Sequence, residues 1–264
     1  MVPVCRFAPA RAIRSAFGAL LFLAAPARAA EPAELSTPAT NLLAAVSARY
    51  AAVTNLSCTV RRQLPDGGGE MLSRVDWARG GRLASETLAP EPRRAVVDGE
   101  SAWTKGPKDK KPRRVAFDDQ SPAQKASVLC VPASPEETLA ALDPATGVDR
   151  PSPAPPHARQ TSFRFLGAPP EATARAIVSL DAAGRVRAVD LFSDGAFRWR
   201  VASYAWDAPV EVLPGVWLYA RATAETSVDG QPVALSTRFD NLRANQPIDP
   251  DLFDAEKAFG RVDE

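Results

Sequence analysis

The chain has 264 residues, of which 45% are hydrophobic and 24% charged, and its formal net charge is +1. This is the composition of an ordinary globular protein, with enough apolar residues for one large β domain or two small ones. A charge so close to zero argues against nucleic acid as a partner.

The first 29 residues have the layout of a secretory signal peptide. Arg6, Arg11 and Arg14 precede the apolar run AFGALLFLAA, and the triplet ARA follows it at 27–29. The run is too short to span a bilayer, and the triplet is typical of a cleavage site. We therefore expect cleavage after about Ala29 and export to the periplasm. Without this segment, 28 of the 32 basic residues remain against 31 acidic residues, a formal charge of −3.

Two cysteines follow the leader, Cys58 and Cys130, and an exported protein meets conditions that permit disulfides. A bond between them would close a loop of 72 residues (130 minus 58) and contribute about 4 kcal/mol in the chain-entropy model. Two buried thiols explain the same residues equally well, because sequence spacing does not bring two Cα atoms within bonding reach.

Helical spacing comes first in the exported chain and strand spacing follows it. Thr37 and Pro38 fit the start of an amphipathic helix that continues to about Thr54. From Ser57 to Phe117, six short runs of alternating polarity are separated by turns rich in Gly and Asp, which predicts strands joined by hairpins. No stretch after the leader approaches the roughly 20 apolar residues of a membrane-spanning helix.

Two short helices are predicted after these strands. They begin at Ser-Pro pairs, SPAQKASVL from Ser121 and SPEETLAAL from Ser134, and Ser134 with Glu137 fits a capping box. The next segment, 143–158, holds five prolines and the only histidine, His157, and it is predicted to be a loop or linker.

Six longer alternating runs from Gln160 to Leu242 predict an antiparallel meander with one apolar face. That face must be covered, and the preceding helices are the only candidates in the sequence. We therefore predict a mainly β (α+β) fold, a curved antiparallel sheet in one domain over residues 30–264, with the proline-rich segment as an insertion. Two domains hinged at that segment are the alternative, although the first strands alone would make a weak core.

Four segments, in this order, resemble the LolA/LolB-like superfamily of periplasmic outer-membrane lipoprotein carriers. They are the helix end and strand ARYAAVTNLSCTVRRQ, the strand pair VDWARGGRLASET, the hairpin VVDGESAWTK and the closing FDNLRANQPIDPDLF. The resemblance covers most of the chain from Pro38 to Phe253. It implies an unclosed β-barrel with a helical lid over an apolar cavity.

The resemblance also implies a periplasmic carrier that binds lipoprotein acyl chains, or another lipid, for outer-membrane lipoprotein sorting. Its expected partners are an acylated lipoprotein or lipid, an inner-membrane donor complex and an outer-membrane acceptor, and the carrier is expected to be a monomer without cofactor or metal. Each buried CH₂ contributes about 0.8 kcal/mol, so such a site needs little beyond an apolar lining. The lining candidates, any of which could instead be an ordinary core residue, are Trp77, Leu83, Trp103, Val128, Leu129, Phe197, Trp199 and Leu218.

By the same resemblance, Arg82 is the candidate for the strand arginine that hydrogen-bonds the backbone of the lid and keeps the empty cavity shut. Arg79 competes for this alignment, and a solvated arginine is the simpler interpretation. Leu252 and Phe253 are expected to dock back on the sheet at the open edge of the barrel.

Enzyme activity is not expected, because one histidine in a proline-rich loop and no recognisable hydrolase, metalloprotease or phosphate-binding motif make a poor basis for catalysis. A lipid-sensing or envelope-interaction module of the same fold, without transport, is the main alternative to a carrier. The basic run KGPKDKKPRR, Lys105 to Arg114, is either a solvated hairpin tip or a contact for anionic headgroups or an acidic partner.

Overall fold

The structure, a computed structural model, describes residues 37–63, 69–142, 148–150, 158–163, 174–181, 183–193, 200–228 and 231–260. The predictions for the signal peptide, His157, Phe197 and Trp199 fall outside these residues.

Thirteen strands of the described chain form one antiparallel sheet, in the order β6-β5-β4-β3-β2-β1-β13-β12-β11-β10-β9-β8-β7. The two end strands do not pair with each other, so the barrel is unclosed, and the predicted fold class is confirmed. The strands are β1 Asn55–Gln63, β2 Glu70–Ala78, β3 Arg82–Ala89, β4 Arg93–Asp98, β5 Ser101–Lys105, β6 Arg113–Ala116, β7 Val148–Arg150, β8 Ala158–Phe163, β9 Ala174–Leu180, β10 Val186–Phe192, β11 Arg200–Leu213, β12 Val216–Val228 and β13 Gln231–Ala244.

Helices are few and short in the described chain. They are α1 Thr37–Ala51, α2 Pro122–Leu129, α3 Glu136–Ala140 and α4 Ala255–Phe259, with 3₁₀ turns at Phe117–Asp119 and Pro250–Phe253. Strand β7 lies within the segment that was predicted to be a loop, where Val148–Arg150 pairs with β8. A three-residue strand has too few residues to show an alternating pattern, and its pairing depends on the neighbouring strand.

The capping box belongs to α2 and not to α3, where the sequence prediction placed it. The Ser121 hydroxyl accepts a hydrogen bond from the Gln124 amide, and the Gln124 side chain accepts one from the Ser121 amide. Before α3, the Ser134 hydroxyl instead donates to the Val131 carbonyl at 2.7 Å. The Glu136 carboxylate accepts from the Val131 amide at 2.7 Å. The glutamate that bonds to the backbone of this turn is therefore Glu136, and not Glu137 as the motif predicts.

The register of the first six strands separates two faces of the sheet. Residues directly opposite each other point to the same side, because side chains alternate along a strand. One side carries the successive partners Leu56, Trp77, Leu83 and Val97, and the other carries Asp76, Ala84, Val96, Trp103 and Arg114. We call the first the helix-covered face and the second the outer face.

The main core lies between the helix-covered face and the helices. Val46 and Tyr50 of α1, and Val53 just after it, are buried and pack against Leu56 and Trp77 of the first strands. The same core continues into the later strands, with buried residues on β9, β10, β11 and β12. The helices thus cover the apolar face of the sheet, as the strand pattern required.

The closing segment docks on the outer face and not on an open edge of the barrel. Phe253 is buried against Ala78 and Ala84, with Ile248 and Leu252 packed beside it. The Arg94 guanidinium on β4 also donates to the carbonyl of Ala258 in α4 at 3.0 Å. The small side chains of β2 and β3 leave room there for the Phe253 ring, which explains why the chain returns to the sheet at this point.

Candidate functional site

The candidate site is the apolar surface between the helix-covered face and the helices. Trp77 and Leu218 are fully buried there, Val128 of α2 is buried, and Leu83 is partly buried against the same core. Trp77, Leu83 and Leu218 therefore belong to or pack against one apolar core, and the Val128 carbonyl accepts a hydrogen bond from the Trp77 indole. Leu129 differs from them, because 45% of its surface is exposed and its side chain lies near the β2–β3 turn at Gly81.

Several hydrogen bonds hold the helices and their connections on the sheet. The Trp77 indole N–H donates to the Val128 carbonyl at 2.6 Å. The Tyr50 hydroxyl of α1 donates to the Trp217 carbonyl at 2.9 Å, and the Tyr219 amide donates to the Ala133 carbonyl at 2.9 Å. The layer is thus fixed by a small number of identifiable contacts in addition to its apolar packing.

Arg79 holds the C-terminal end of α1. Its guanidinium donates to the carbonyls of Tyr50 at 2.6 Å and Val53 at 3.1 Å, and it stacks over the Trp77 ring at 5.5 Å. A cation at this end satisfies carbonyls that lack helical partners and interacts favourably with the helix dipole. Of the two arginines considered for the latch, Arg79 is therefore the one that contacts helix backbone.

Asn245, which the sequence interpretation did not single out, joins the end of α1 to the end of β13. Its side-chain oxygen accepts from the Thr54 amide at 2.8 Å and the Thr54 hydroxyl at 3.0 Å, and its side-chain nitrogen donates to the Ala52 carbonyl at 2.9 Å. Asn245 has a φ of 55°, a conformation that Asn adopts more readily than most residues. Its place in an Asn-rich turn after the last strand was the available signal.

Both cysteines are free and buried. Burial raises the pKa of the Cys58 thiol to about 12, and nearby Asp76 adds to this. Burial, followed by Glu136 and Glu137, raises the pKa of Cys130 to about 12. Of the two alternatives that the sequence left open, the structure contains the buried thiols and not the disulfide.

A polar cluster adjoins the apolar surface. Burial raises the pKa of Glu137 on α3 to about 7, an effect that Arg62 of β1 partly offsets. The Arg62 guanidinium donates to the Thr237 hydroxyl at 3.4 Å, and burial lowers the arginine's pKa. Burial also raises the pKa of Tyr204 on β11 to about 12, with a contribution from Glu137. A carboxyl that titrates near neutral pH therefore lies beside the helix-covered face.

Trp103 and Arg82 lie on the outer face, which corrects their assignment to the cavity and its latch. They help to form a depression of about 450 Å³ between strands β3 to β6 and the closing segment. Arg82 stacks over the Phe253 ring at 5.5 Å, and Arg114 over the Trp103 ring at 5.3 Å. We call this depression the outer cleft; its lining residues are Arg82, Asp98, Trp103, Arg114, Pro250, Phe253, Asp254, Ala255 and Glu256.

The sequence placed Trp103 and Arg82 wrongly because a shift of one residue along a strand moves a side chain to the opposite face. Trp103 is paired with Val96, while its neighbour Ala102 is paired with Val97 on the helix-covered face. Arg82 likewise precedes Leu83, which packs against the main core. The resemblance therefore identified the correct strands but assigned these two side chains to the wrong face of the sheet.

Two further clefts also lie on the outer face. One, of about 360 Å³, is bordered by Arg74, Asp76, Arg94 and the turn after β13. The other, of about 640 Å³, is bordered by Arg61, Glu70, Arg238 and Asp240. Both are rich in charged side chains, and the smaller one also has apolar lining from Ala84, Pro247, Ile248 and Leu252.

Among the described residues, no group of three or more His, Cys, Asp or Glu side chains could hold a metal ion. No helix in that part of the chain is long and apolar enough to cross a membrane.

The basic run forms the β5–β6 hairpin tip, as expected. The Asp109 carboxylate accepts from the Gly106 amide at 2.9 Å and pairs with Arg113 at 3.4 Å. The hydrogen bond to Gly106 lowers the pKa of Asp109, and burial partly opposes this effect. Lys108 and Lys110 are exposed, so the tip is a turn of defined geometry with a positive surface.

No protein-family model and no curated protein sequence matches the chain. Solved structures do match it over most of its length. A LolA superfamily protein from Nitrosomonas europaea has 9% identity and a TM-score of 0.51, with 81% of this chain and 98% of that one covered. A DUF1329 family protein from Desulfovibrio piger has 11% identity and a TM-score of 0.57, with 84% and 98% covered.

A third structure, described as an outer membrane lipoprotein-sorting protein domain from Vibrio parahaemolyticus, matches with 11% identity and a TM-score of 0.57 over 84% of this chain and 98% of that one. At such low identity these matches show only that the chain shares its fold with these three proteins.

Proposed function

We propose that this protein is a periplasmic carrier that binds the acyl chains of lipoproteins, or of another lipid, between the helix-covered face and the helices. The observation that carries the proposal is a continuous apolar surface under a thin helix layer fixed by few polar contacts. The shared fold supports the same proposal, since one structure with that fold is described as a lipoprotein-sorting domain. Trp77, Leu83, Val128 and Leu218 are the proposed lining.

Acyl binding on this surface requires the helix layer to move. In the described residues the surface is occupied by the protein's own core side chains. An entering acyl chain would replace those contacts with equivalent apolar contacts. Each CH₂ that it removes from water would contribute about 0.8 kcal/mol to the free energy of binding. Movement of α2 and α3 would break the Trp77–Val128 and Tyr219–Ala133 hydrogen bonds first.

Uptake of a fluorescent fatty acid, competed by palmitate, tests the proposal on the chain from Ala30 to Glu264. We expect saturable uptake that Leu83→Gln reduces about tenfold or more, because Leu83 packs against the main core and the change buries an amide without a partner. Leu88→Gln is the matched control, since Leu88 is on the same strand and is 50% exposed. Failure of the wild-type protein and of Trp77→Phe, whose helix layer is less firmly held, to take up the probe would contradict the proposal.

The filled surface also favours a second candidate, a lipid-sensing or envelope-interaction module that binds its ligand without transporting it. Release of lipoproteins from inner-membrane vesicles separates the two functions. A carrier releases them into the soluble fraction and delivers them to outer-membrane vesicles. A sensing module takes up the acyl probe and releases nothing. For both functions, a polar substitution at Leu83 should reduce acyl uptake strongly, and a polar substitution at Leu88 should reduce it little.

A further inference from the structure

The outer cleft has hydrogen-bond donors that the described protein does not use. The indole nitrogen of Trp103 is buried and has no hydrogen-bond partner. Buried polar groups in native proteins are almost always satisfied, by protein, by ordered water or by a ligand. An indole N–H is a donor only, so its missing partner must be an acceptor.

Two arginines flank this indole. In the described part of the chain the Arg82 side chain forms no hydrogen bond or ion pair, and its guanidinium lies over the Phe253 ring at 5.5 Å. Arg114 uses its Nε to donate to the Ser101 hydroxyl at 3.0 Å, which leaves its two terminal nitrogens for another acceptor. Stacking of Arg114 over Trp103 at 5.3 Å restricts the orientation of the guanidinium and reduces the entropy lost when it binds an anion.

The acidic residues of the cleft are largely committed to backbone groups. The Asp98 carboxylate accepts from the amides of Glu100 at 2.8 Å and Ser101 at 2.7 Å. The Asp254 carboxylate accepts from the amides of Glu256 at 2.9 Å and Lys257 at 3.2 Å. Glu256 is exposed and is the remaining acid of the lining. These bonds use one oxygen of each aspartate, and the donors left for a ligand are the Arg82 guanidinium, the terminal nitrogens of Arg114 and the Trp103 indole N–H.

We propose that the outer cleft binds an oxyanion, the phosphate or carboxylate of a small molecule or of a lipid headgroup, through Arg82, Arg114 and Trp103. Guanidinium groups bind both oxyanions with paired, charge-assisted hydrogen bonds, and the indole N–H supplies a third donor. A volume of about 450 Å³ suits a headgroup or a small organic anion and falls at the small end of ligand pockets. The site is on the opposite side of the sheet from the proposed acyl surface, so it does not rest on the carrier function.

Titration of inorganic phosphate, and separately of acetate, into the ¹⁵N-labelled chain from Ala30 tests the site. The Trp103 indole resonance, assigned with Trp103→Phe, is expected to shift and saturate with at least one of the two anions. Arg82→Gln and Arg114→Gln should each weaken the apparent affinity by roughly tenfold, because each removes a charge-assisted donor.

Arg113→Gln is the matched control for Arg114→Gln. It makes the same change of charge on the next residue of β6, which points to the other side of the sheet and is 78% exposed. Equal weakening by Arg113→Gln and Arg114→Gln would overturn the proposal in favour of general electrostatic attraction. Thermal unfolding of each variant shows whether a loss of binding reflects a loss of fold.

Cosedimentation with phosphatidylcholine vesicles, with and without about one third phosphatidylglycerol, distinguishes a headgroup from a free anion. Binding that requires phosphatidylglycerol and is lost in Arg82→Gln but kept in Arg113→Gln identifies a headgroup as the source. Saturation by phosphate or acetate without vesicle binding identifies a free anion. No response of the Trp103 indole to either anion, together with no vesicle binding that depends on Arg82, would overturn the site.

Discussion

Asn245 shows how one side chain can connect two distant parts of the chain. It accepts two hydrogen bonds from Thr54 and donates one to Ala52, while its own amide donates to Asn55 at 3.0 Å. Residues separated by about 190 positions are thereby joined at the point where α1 enters the sheet.

We predict that Asn245→Ala lowers the free energy of unfolding by about 3 kcal/mol, because it removes four side-chain hydrogen bonds and because Ala tolerates a positive φ less well. Asn241→Ala is the control, because Asn241 is also exposed with a φ of 56° but does not make these hydrogen bonds, so it should cost only about 1 kcal/mol. Urea denaturation measures both. Equal losses in the two variants would mean that backbone conformation, and not the side-chain contacts, is what matters at Asn245.

Glu137 gives the protein a pH dependence that can be attributed to one residue. Burial raises the pKa of Glu137 to about 7 from the usual 4.5 of a glutamate, so the folded state binds this proton more tightly than the unfolded state. The associated stability is present below about pH 4.5 and is lost as the pH rises through about 7.

We therefore predict that Glu137→Gln stabilises the protein by roughly 1 to 3 kcal/mol near pH 8 and has little effect near pH 4. Chemical denaturation of wild type and variant across this range gives the difference directly. A difference that does not change with pH would show that Glu137 titrates normally in the folded protein. Glu211→Gln, at an exposed position on β11, should show no such trend.

At the scale of elements, α2 is held on the sheet by one buried hydrogen bond as well as by packing. Trp77 is fully buried, and its indole donates to the Val128 carbonyl near the C-terminal end of α2. The helix has only eight residues, too few to be stable without tertiary contacts. Its position therefore depends on Trp77.

Trp77→Phe is predicted to destabilise the protein by about 2 kcal/mol, because the Val128 carbonyl loses its donor and the smaller ring leaves a cavity. Amide hydrogen exchange in α2 should speed up more than exchange in β12 and β13. Trp217→Phe serves as the control, since the hydrogen bond from Tyr50 of α1 ends on the backbone carbonyl of Trp217 and the ring stacks with Arg185. Uniform acceleration over the whole chain would mean that α2 does not open separately.

At the scale of the whole molecule, the helix layer and the sheet enclose both cysteines. Cys58 lies on β1 and Cys130 directly follows α2, and both thiols are buried with raised pKa values. Thiolate, the reactive form, is therefore scarce at neutral pH while the layer is in place. The reactivity of Cys58 therefore measures opening of the layer near the sheet, and the reactivity of Cys130 measures opening near the end of α2.

We predict that iodoacetamide modifies neither thiol appreciably in the native protein, and that an acyl ligand or Trp77→Phe accelerates modification of Cys130. Peptide mass spectrometry assigns the modified residue. A fully oxidised Cys58–Cys130 pair in protein isolated from the periplasm would show that a disulfide replaces the free thiols in the cell. Unchanged reactivity on ligand binding would show that the helices do not move.

The sequence by itself determined the class of the fold and the approximate position of most described elements. Alternation identified the strands, helical spacing identified α1, and Ser-Pro pairs identified the starts of α2 and α3, because those patterns depend on residues that are close together in the chain. Alternation did not predict the shortest strands. Val148–Arg150 has only three residues, and its strand conformation comes from its pairing with β8.

Only the tertiary structure decided which face each residue occupies and which distant residues meet. Trp103 and Arg82 moved to the outer face because register, set by pairing with Val96 and Asp98, determines the side to which each side chain points. The contacts of Arg79 with α1, of Asn245 with Thr54 and of Phe253 with Ala78 join residues that are far apart in sequence. Local propensity carries no information about such contacts, whereas the packed sheet places their atoms within bonding distance.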